Sequence, residues 1–175
     1  TLPLHDALPS SLIAVSNQEF YNKQLYVIPS PEKNSPELGL KLRFIENGIF
    51  DRGGTATNHI EATAIVDAVL HHAQEFPNRS LGVGTFSVSQ RDAVLDELER
   101  RRREHPEFES FFTTDSYEPF FVKNLENIQG DERDVIFISI GYAKDDKGKL
   151  TMNFGPLTNE GGERRLNVLI TRARS

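Results

Sequence analysis

The run Val135-Ile136-Phe137-Ile138-Ser139-Ile140 constrains this chain more than any other feature. Successive side chains of a strand point to opposite faces, so a strand formed here is apolar on both sides and must be covered on both. That favours a central strand of a parallel sheet with helices above and below. Ser80 to Thr85 reads as a second, small-residue buried strand, and Phe120 to Val122 as a brief third one. Asn58-His59-Ile60-Glu61 has the spacing of a capping box, and Ile65, Val66, Val69, Leu70 and Ala73 follow at helical intervals until Pro77 and Asn78 stop them. A further helix is expected from about Val88 to Arg103. Strands alternating with helices of this length predict an α/β fold, a mostly parallel sheet with helices on both faces. In such folds ligands sit at the carboxyl ends of the strands, so the polar segments after Thr85, Val122 and Ile140 are where chemistry is expected.

The rest of the chain is divided by its punctuation. Leu12, Ile13, Ser16 and Phe20 line one side of a helix after Pro9, Leu25 to Ile28 reads as a short strand, and Pro29 to Pro36 as a loop. Leu40, Leu42 and Phe44 alternate with Lys41, Arg43 and Ile45 as in a strand with one buried face. Asp145 to Lys149, with Gly148, reads as an exposed turn, and Asn153 to Gly162 as a Gly-rich loop before a last helix. With 175 residues, 37% of them hydrophobic, the chain suits one domain, 1–175, of which 1–50 is a less regular opening segment. Cysteine is absent, which excludes disulfides and thiolate metal sites. No apolar run approaches the roughly 20 residues that span a bilayer, and no signal pattern opens the chain; a cytoplasmic protein without membrane contact is expected. A net charge of -6 excludes a surface that attracts nucleic acid from every side but allows a local basic site.

Two basic clusters deserve separate readings. Arg100 to Arg103 are flanked by Glu97, Glu99 and Glu104, which fits a solvated helix end. In the last helix Leu166, Leu169, Ile170 and Ala173 form one apolar stripe. Arg165 and Arg172 then share a direction near the edge of that stripe, while Arg164 points away from the core. A guanidinium so placed suits either phosphate oxygens or a neighbouring carboxylate.

Three segments together resemble the second motor domain of superfamily 1 helicases, on the branch of the RNA-surveillance helicases and large bacterial relatives. Residues 161–174, Gly-Gly-Glu-Arg-Arg-Leu-Asn-Val-Leu-Ile-Thr-Arg-Ala-Arg, are similar to that family's motif VI. Residues 127–134, Asn-Ile-Gln-Gly-Asp-Glu-Arg-Asp, are similar to motif V. Leu81 to Thr85, with Gln90 after them, resemble motif IV, and Asn58-x-x-Glu61-Ala62 and the Leu12 to Tyr21 segment also fit.

The resemblance implies a RecA-like P-loop NTPase fold whose partner is an N-terminal RecA-like domain of the same polypeptide. In the family, ATP and Mg²⁺ lie between the two domains, held mainly by the first, and the second supplies an arginine to the γ-phosphate. By resemblance that arginine is Arg172, with Arg165 assisting. Glu132 matches the residue that contacts the ribose, and Gly130 would let the backbone approach the nucleotide. Gln129 either joins the nucleotide site or holds its own loop. Thr85 and Asn124 occupy loop positions that touch the backbone of single-stranded DNA or RNA, with Asn124 replacing a hydroxyl residue; DNA and 5′ to 3′ movement follow from the branch. Asn58 and Glu61 are read as a helix cap.

The chain also departs from the family. Where relatives carry an aromatic-Arg-Ser segment with a second γ-phosphate contact, it has Leu4-His5-Asp6-Ala7, and Phe86-Ser87 replaces the Pro-aromatic pair of motif IV. No G-x-x-x-x-G-K-[ST] occurs, so ATP hydrolysis by the chain alone is not expected, and the missing ATPase half is expected upstream in a longer polypeptide. The expected function is therefore the second motor domain of an ATP-dependent helicase. The alternatives are a degenerate half serving as a nucleic-acid or protein-docking module, and an unrelated α/β enzyme using His59, His71 or His72 as base. The last has no G-x-S-x-G turn to support it, and these histidines are expected at the surface.

Overall fold

Asn58 opens its helix as expected: its Oδ1 accepts the backbone N–H of Glu61 at 3.1 Å, and α1 runs His59–Glu75. The computed structural model describes residues 16–19, 21, 23–24, 40–113, 117–151, 153–155, 158 and 160–173. After α1 come β1 (Leu81–Thr85) and α2 (Val88–Glu104), whose N-cap Ser87 accepts from the Gln90 N–H at 3.1 Å. A short 3₁₀ turn, Pro106–Phe108, leads into α3 (Glu109–Thr113), and then β2 (Phe121–Asn124), β3 (Val135–Ser139) and α4 (Gly162–Ile170) complete the order. The expected helix at the opening of the chain is described at 16–19, which are helical. The strand expected at Leu25 to Ile28, the loop to Pro36 and the Leu4 to Ala7 departure lie outside the described residues.

The sheet is parallel throughout, in the order β2-β1-β3, with Thr85 opposite both Asn124 and Ser139. Among the described residues β1, not β3, is therefore the middle strand. The apolar character of β3 on both faces has another cause, since it is covered from both sides. Val135 and Phe137 pack with α1, α2, Leu81 and Val83, whereas Ile136 and Ile138 pack with Phe121, Ile128 and Leu169 beneath α4. Two glycines make room for what packs on β1: Gly84 for Leu169 of α4 and Gly82 for Phe121 of β2. A Cβ on Gly84 would lie 2.5 Å from Leu169 Cδ1, so a larger residue there would press on the helix, and one on Gly82 would enter the Phe121 ring of β2. Leu169 is fully buried, a contribution of about 1.5–3 kcal/mol for a side chain of its size.

Three expectations are corrected here. Leu40 to Ile45 form no strand, and Leu42 and Phe44 are 86% and 79% exposed. Their alternation needs a neighbouring strand, and the chain's first pairing in this region is the later Ile49–Lys144 bridge. His72 is buried, not superficial, with its Nε2–H donating to the Arg79 carbonyl at 3.0 Å among Phe76, Phe111 and Phe137. Glu61 does not cap the Asn58 backbone N–H, which goes to Gln90, and takes only a long 3.4 Å bond from Asn58 Nδ2. Its carboxylate accepts from Ser139 Oγ at 2.8 Å and from the Gly141 N–H at 3.0 Å, binding the start of α1 to the end of β3.

Burial holds the His72 imidazole below its usual pKa. The folded state therefore keeps it neutral while the unfolded chain takes up a proton near pH 6.5, and the stability it contributes is present above that pH and lost as pH falls from there toward the lower folded value. His72→Gln retains a donor for Arg79 and removes the titration. Its unfolding midpoint is expected to fall less between pH 7 and pH 5 than that of the wild type, and parallel curves would refute this.

The arginines ending α2 are paired: Arg100 with Glu97 and Glu104, Arg101 with Asp67, Arg102 with Glu109 and Arg103 with Glu99. The solvated reading of that cluster holds. Asp145 Oδ1 accepts from the N–H groups of Lys147 and Lys149, closing the expected turn around Gly148. Among the described residues no helix is long and apolar enough to cross a membrane.

Candidate nucleotide and nucleic-acid site

The segment between β2 and β3 carries the residues expected to meet a nucleotide. It is anchored by Ile128, fully buried under α4, and by the Asp134 carboxylate, which accepts from the Ser80 N–H at 2.9 Å at the start of β1. Lys123 Nζ pairs with Asp131 at 2.7 Å across the loop. Between these anchors Gly130 has φ +88°, a conformation that costs a side-chain-bearing residue strain, and a Cβ there would meet nothing within 4 Å. Its backbone angle is the reason for glycine, and the open side leaves room for a ligand. Gln129 is exposed, with no hydrogen-bond partner for its side chain among the described residues. Glu132 is exposed as well, at 59% of its side chain.

The last helix ends earlier than the apolar stripe suggests. Thr171 is its C-cap, with its N–H shared between the Asn167 and Leu169 carbonyls, and the Arg172 N–H turns back to Leu169 O at 3.2 Å. Arg172 thus stands on a turn beyond α4, and the helical arithmetic that gave it the direction of Arg165 does not apply. Arg165 sits half-buried in the first turns of α4, about 10 Å back along the helix axis at 1.5 Å per residue. Arg164 is exposed, as expected. The Arg172 carbonyl accepts from the Arg133 N–H at 3.1 Å, and Ala173 bridges to Arg133. This places Arg172 beside Glu132, with Nη1 3.8 Å from Glu132 Oε1. Arg172 Nε donates to Val168 O at 3.1 Å, while Nη2 lies a long 3.4 Å from Thr171 Oγ1. The terminal nitrogens are weakly engaged, and at that distance and exposure the Glu132 pair adds little to stability.

The pair lies at the amino end of β3, not at a carboxyl rim, which corrects the expectation drawn from open α/β sheets. The reason is the path of the chain. The β2–β3 loop crosses to the amino end of β3 and carries Gly130 and Glu132 with it, and the turn after α4 arrives at the same place.

Thr85 and Asn124 occupy the opposite end, side by side in register. Thr85 is 0% exposed and its hydroxyl donates to the Ser87 carbonyl at 2.9 Å, so in this conformation it holds the turn and offers no hydroxyl to a ligand. Asn124 is 5% exposed, and its Oδ1 is buried without a hydrogen-bond partner among the described residues. A buried acceptor left without a donor in this way costs about 1–3 kcal/mol. Beside them Gln90 is spent on structure: Oε1 accepts from Asn58 N–H at 2.8 Å, and Nε2 donates to Asn58 O at 3.1 Å and to Ser139 Oγ at 3.2 Å. Gln90 and Arg133 stand inside the motif-like strings, yet the sequence assigns neither a task. A glutamine that opens a helix just after a buried strand was the available signal for the first.

His59 and His71 are exposed and His72 is buried among rings, and they form no cluster. Among the described residues no three His, Asp or Glu side chains converge as metal ligands.

Three parallel strands with α1 and α2 on one face and α4 on the other define a RecA-like P-loop NTPase fold. The AAA domain family matches residues 9–175, and the chain belongs to it. It is 32% identical over 178 residues to a Mycoplasma genitalium protein named uncharacterized ATP-dependent helicase MG140, and 33% identical over 172 residues to the Mycoplasma pneumoniae homolog of that protein. Each match takes in 94% of this chain, which spans 14% of the length of these relatives.

Proposed function

We propose that the chain is the second motor domain of an ATP-dependent nucleic-acid translocase, in which Arg172 completes a triphosphate site formed mainly by another RecA-like domain. The observation that carries this reading is the meeting of Arg172, its side chain 22% exposed, with exposed Glu132 from a distant part of the sequence, with the terminal guanidinium nitrogens weakly engaged. A fixed guanidinium there stabilises charge that spreads over the γ-phosphoryl oxygens during transfer. Glu132 would accept from ribose hydroxyls, and Gly130 with exposed Gln129 would line the approach. Arg165 assists from the first turns of α4. The phosphate-binding loop and the carboxylates for Mg²⁺ would come from the partner domain, and hydrolysis would open and close the cleft between the two. The relatives' names, which call them ATP-dependent helicases, support the reading.

Single-stranded DNA or RNA would cross the carboxyl end of the sheet. There the side-chain Nδ2–H of Asn124, whose Oδ1 is buried without a partner among the described residues, would donate to the sugar-phosphate backbone, and Thr85 fixes the turn behind it. An acidic chain can serve such a track because the contacts are few and local.

The test is ATP hydrolysis by the intact protein with added strand. Turnover should rise with single-stranded nucleic acid, and Asn124→Leu should raise the strand concentration for half-maximal stimulation about tenfold without lowering the unfolding midpoint, since the substitution also removes an orphaned acceptor. Binding of strand that is indifferent to nucleotide, with no stimulated hydrolysis, would favour a docking module instead.

A further inference from the structure

Arg133 is a buried cation on the loop that carries Glu132, 6% exposed and stacked 4.7 Å above the centre of the Phe121 ring. Its fork reaches backbone on two sides. Nε and Nη2 donate to the Pro119 carbonyl at 2.9 and 2.6 Å, and Nη1 donates to the Glu132 carbonyl at 2.6 Å. Its own N–H holds the Arg172 carbonyl at 3.1 Å. One residue therefore ties together the approach to β2, the peptide of Glu132 and the turn of Arg172.

We infer that Arg133 is a positioning residue for the γ-phosphate arginine: its guanidinium locks the β2–β3 loop so that the backbone bond to Arg172 and the side chain of Glu132 present one fixed geometry to the nucleotide. The inference rests on the reading of Arg172 given above. The planar fork is what the task needs. It spans two carbonyls in directions that a lysine ammonium, a single point of charge on a flexible stem, does not fix together. The Phe121 ring beneath it is itself seated on Gly82, so the clamp is referred back to the middle strand of the sheet. Misplacement of a reacting group by about 1 Å costs on the order of 10²-fold in rate.

The experiment is steady-state ATP hydrolysis by the intact protein with saturating single-stranded nucleic acid, comparing wild type, Arg133→Lys, Arg172→Ala and the double variant. Arg133→Lys is expected to lower kcat about 10- to 100-fold with KM for ATP within about threefold of wild type, and to add no further loss in the Arg172→Ala background. An unchanged kcat in Arg133→Lys, or losses that multiply in the double variant, would overturn the inference while leaving Arg172 in place. If Arg172→Ala itself has full activity, the reading of the site fails first and is recognised separately. Arg133→Gln, which keeps a neutral donor toward Pro119, takes the same cycle if the lysine variant does not fold, and unfolding of both would overturn the inference by making the guanidinium a support of the whole domain.

Discussion

Arg172→Ala in the intact protein is expected to reduce nucleic-acid-stimulated ATP turnover by about 10³-fold or more, the range over which a trans-acting arginine accelerates phosphoryl transfer. ATP binding should largely survive, because the other domain would hold most of the triphosphate, and the loss should fall on kcat more than on KM. The position of the residue sharpens the expectation. Arg172 stands on a turn closed by its own N–H to Leu169 and by the Arg133 N–H to its carbonyl, so its Cα is set by backbone bonds that the alanine variant keeps. The side chain adds an Nε bond to Val168 and a distant approach to Glu132, neither of which contributes much to stability. An unfolding midpoint close to wild type combined with a large kcat defect is therefore the expected pair. Arg172→Lys should recover little, since a lysine carries its charge on a more mobile stem and cannot offer two parallel donors. Equal turnover in wild type and Arg172→Ala would remove this residue from the chemistry.

What the sequence made legible and what it hid divide along physical lines. Local signals were legible: Asn58 before the periodic run of α1, the helix from about Val88, the small residues of β1 and the Asp145 turn each follow from neighbours a few positions away. Leu40 to Phe44 failed because alternation describes a strand only when a second strand lies beside it. Among the described strands β1 holds the middle place that the apolar run suggested for β3, and β1 is wholly buried while Val135 to Ile138 of β3 are half-buried, although Arg133 before β3 and Lys144 after it bridge in parallel to Ala173 and Ile49. The direction of Arg172 failed because its helix stops at Ile170, two residues short, and no proline or glycine marks that stop. Long-range polar partnerships were the least visible. Nothing near Glu61 points to Gly141, and nothing near Arg133 points to Pro119, although these contacts fix the two ends of the sheet.

Gln90→Leu should be among the most destabilising single changes, by about 2–3 kcal/mol, although it replaces a polar residue with an apolar one of similar size at a fully enclosed position. Gln90 is 1% exposed, and its amide answers both backbone groups of Asn58, which is itself buried. The Asn58 carbonyl keeps a partner in the Ala62 N–H when Gln90 is lost, but its own N–H does not, and a buried donor left without an acceptor bears its full desolvation cost, about 1–3 kcal/mol. Ser139 Oγ loses its donor at the same time while still donating to Glu61. The loss should appear as a fall of roughly 5–10 °C in the unfolding midpoint for a domain of this size. Gln90→Glu should be worse, because it keeps an acceptor for Asn58 but brings a second carboxylate toward Ser139 and Glu61 and removes both donors. That order, glutamate below leucine below wild type, is the signature of a buried network satisfied by one amide. A leucine variant within about 2 °C of wild type would mean that the start of α1 is held by packing alone, and that the bonds between Asn58, Gln90 and Ser139 are incidental to the seam joining α1, α2 and β3.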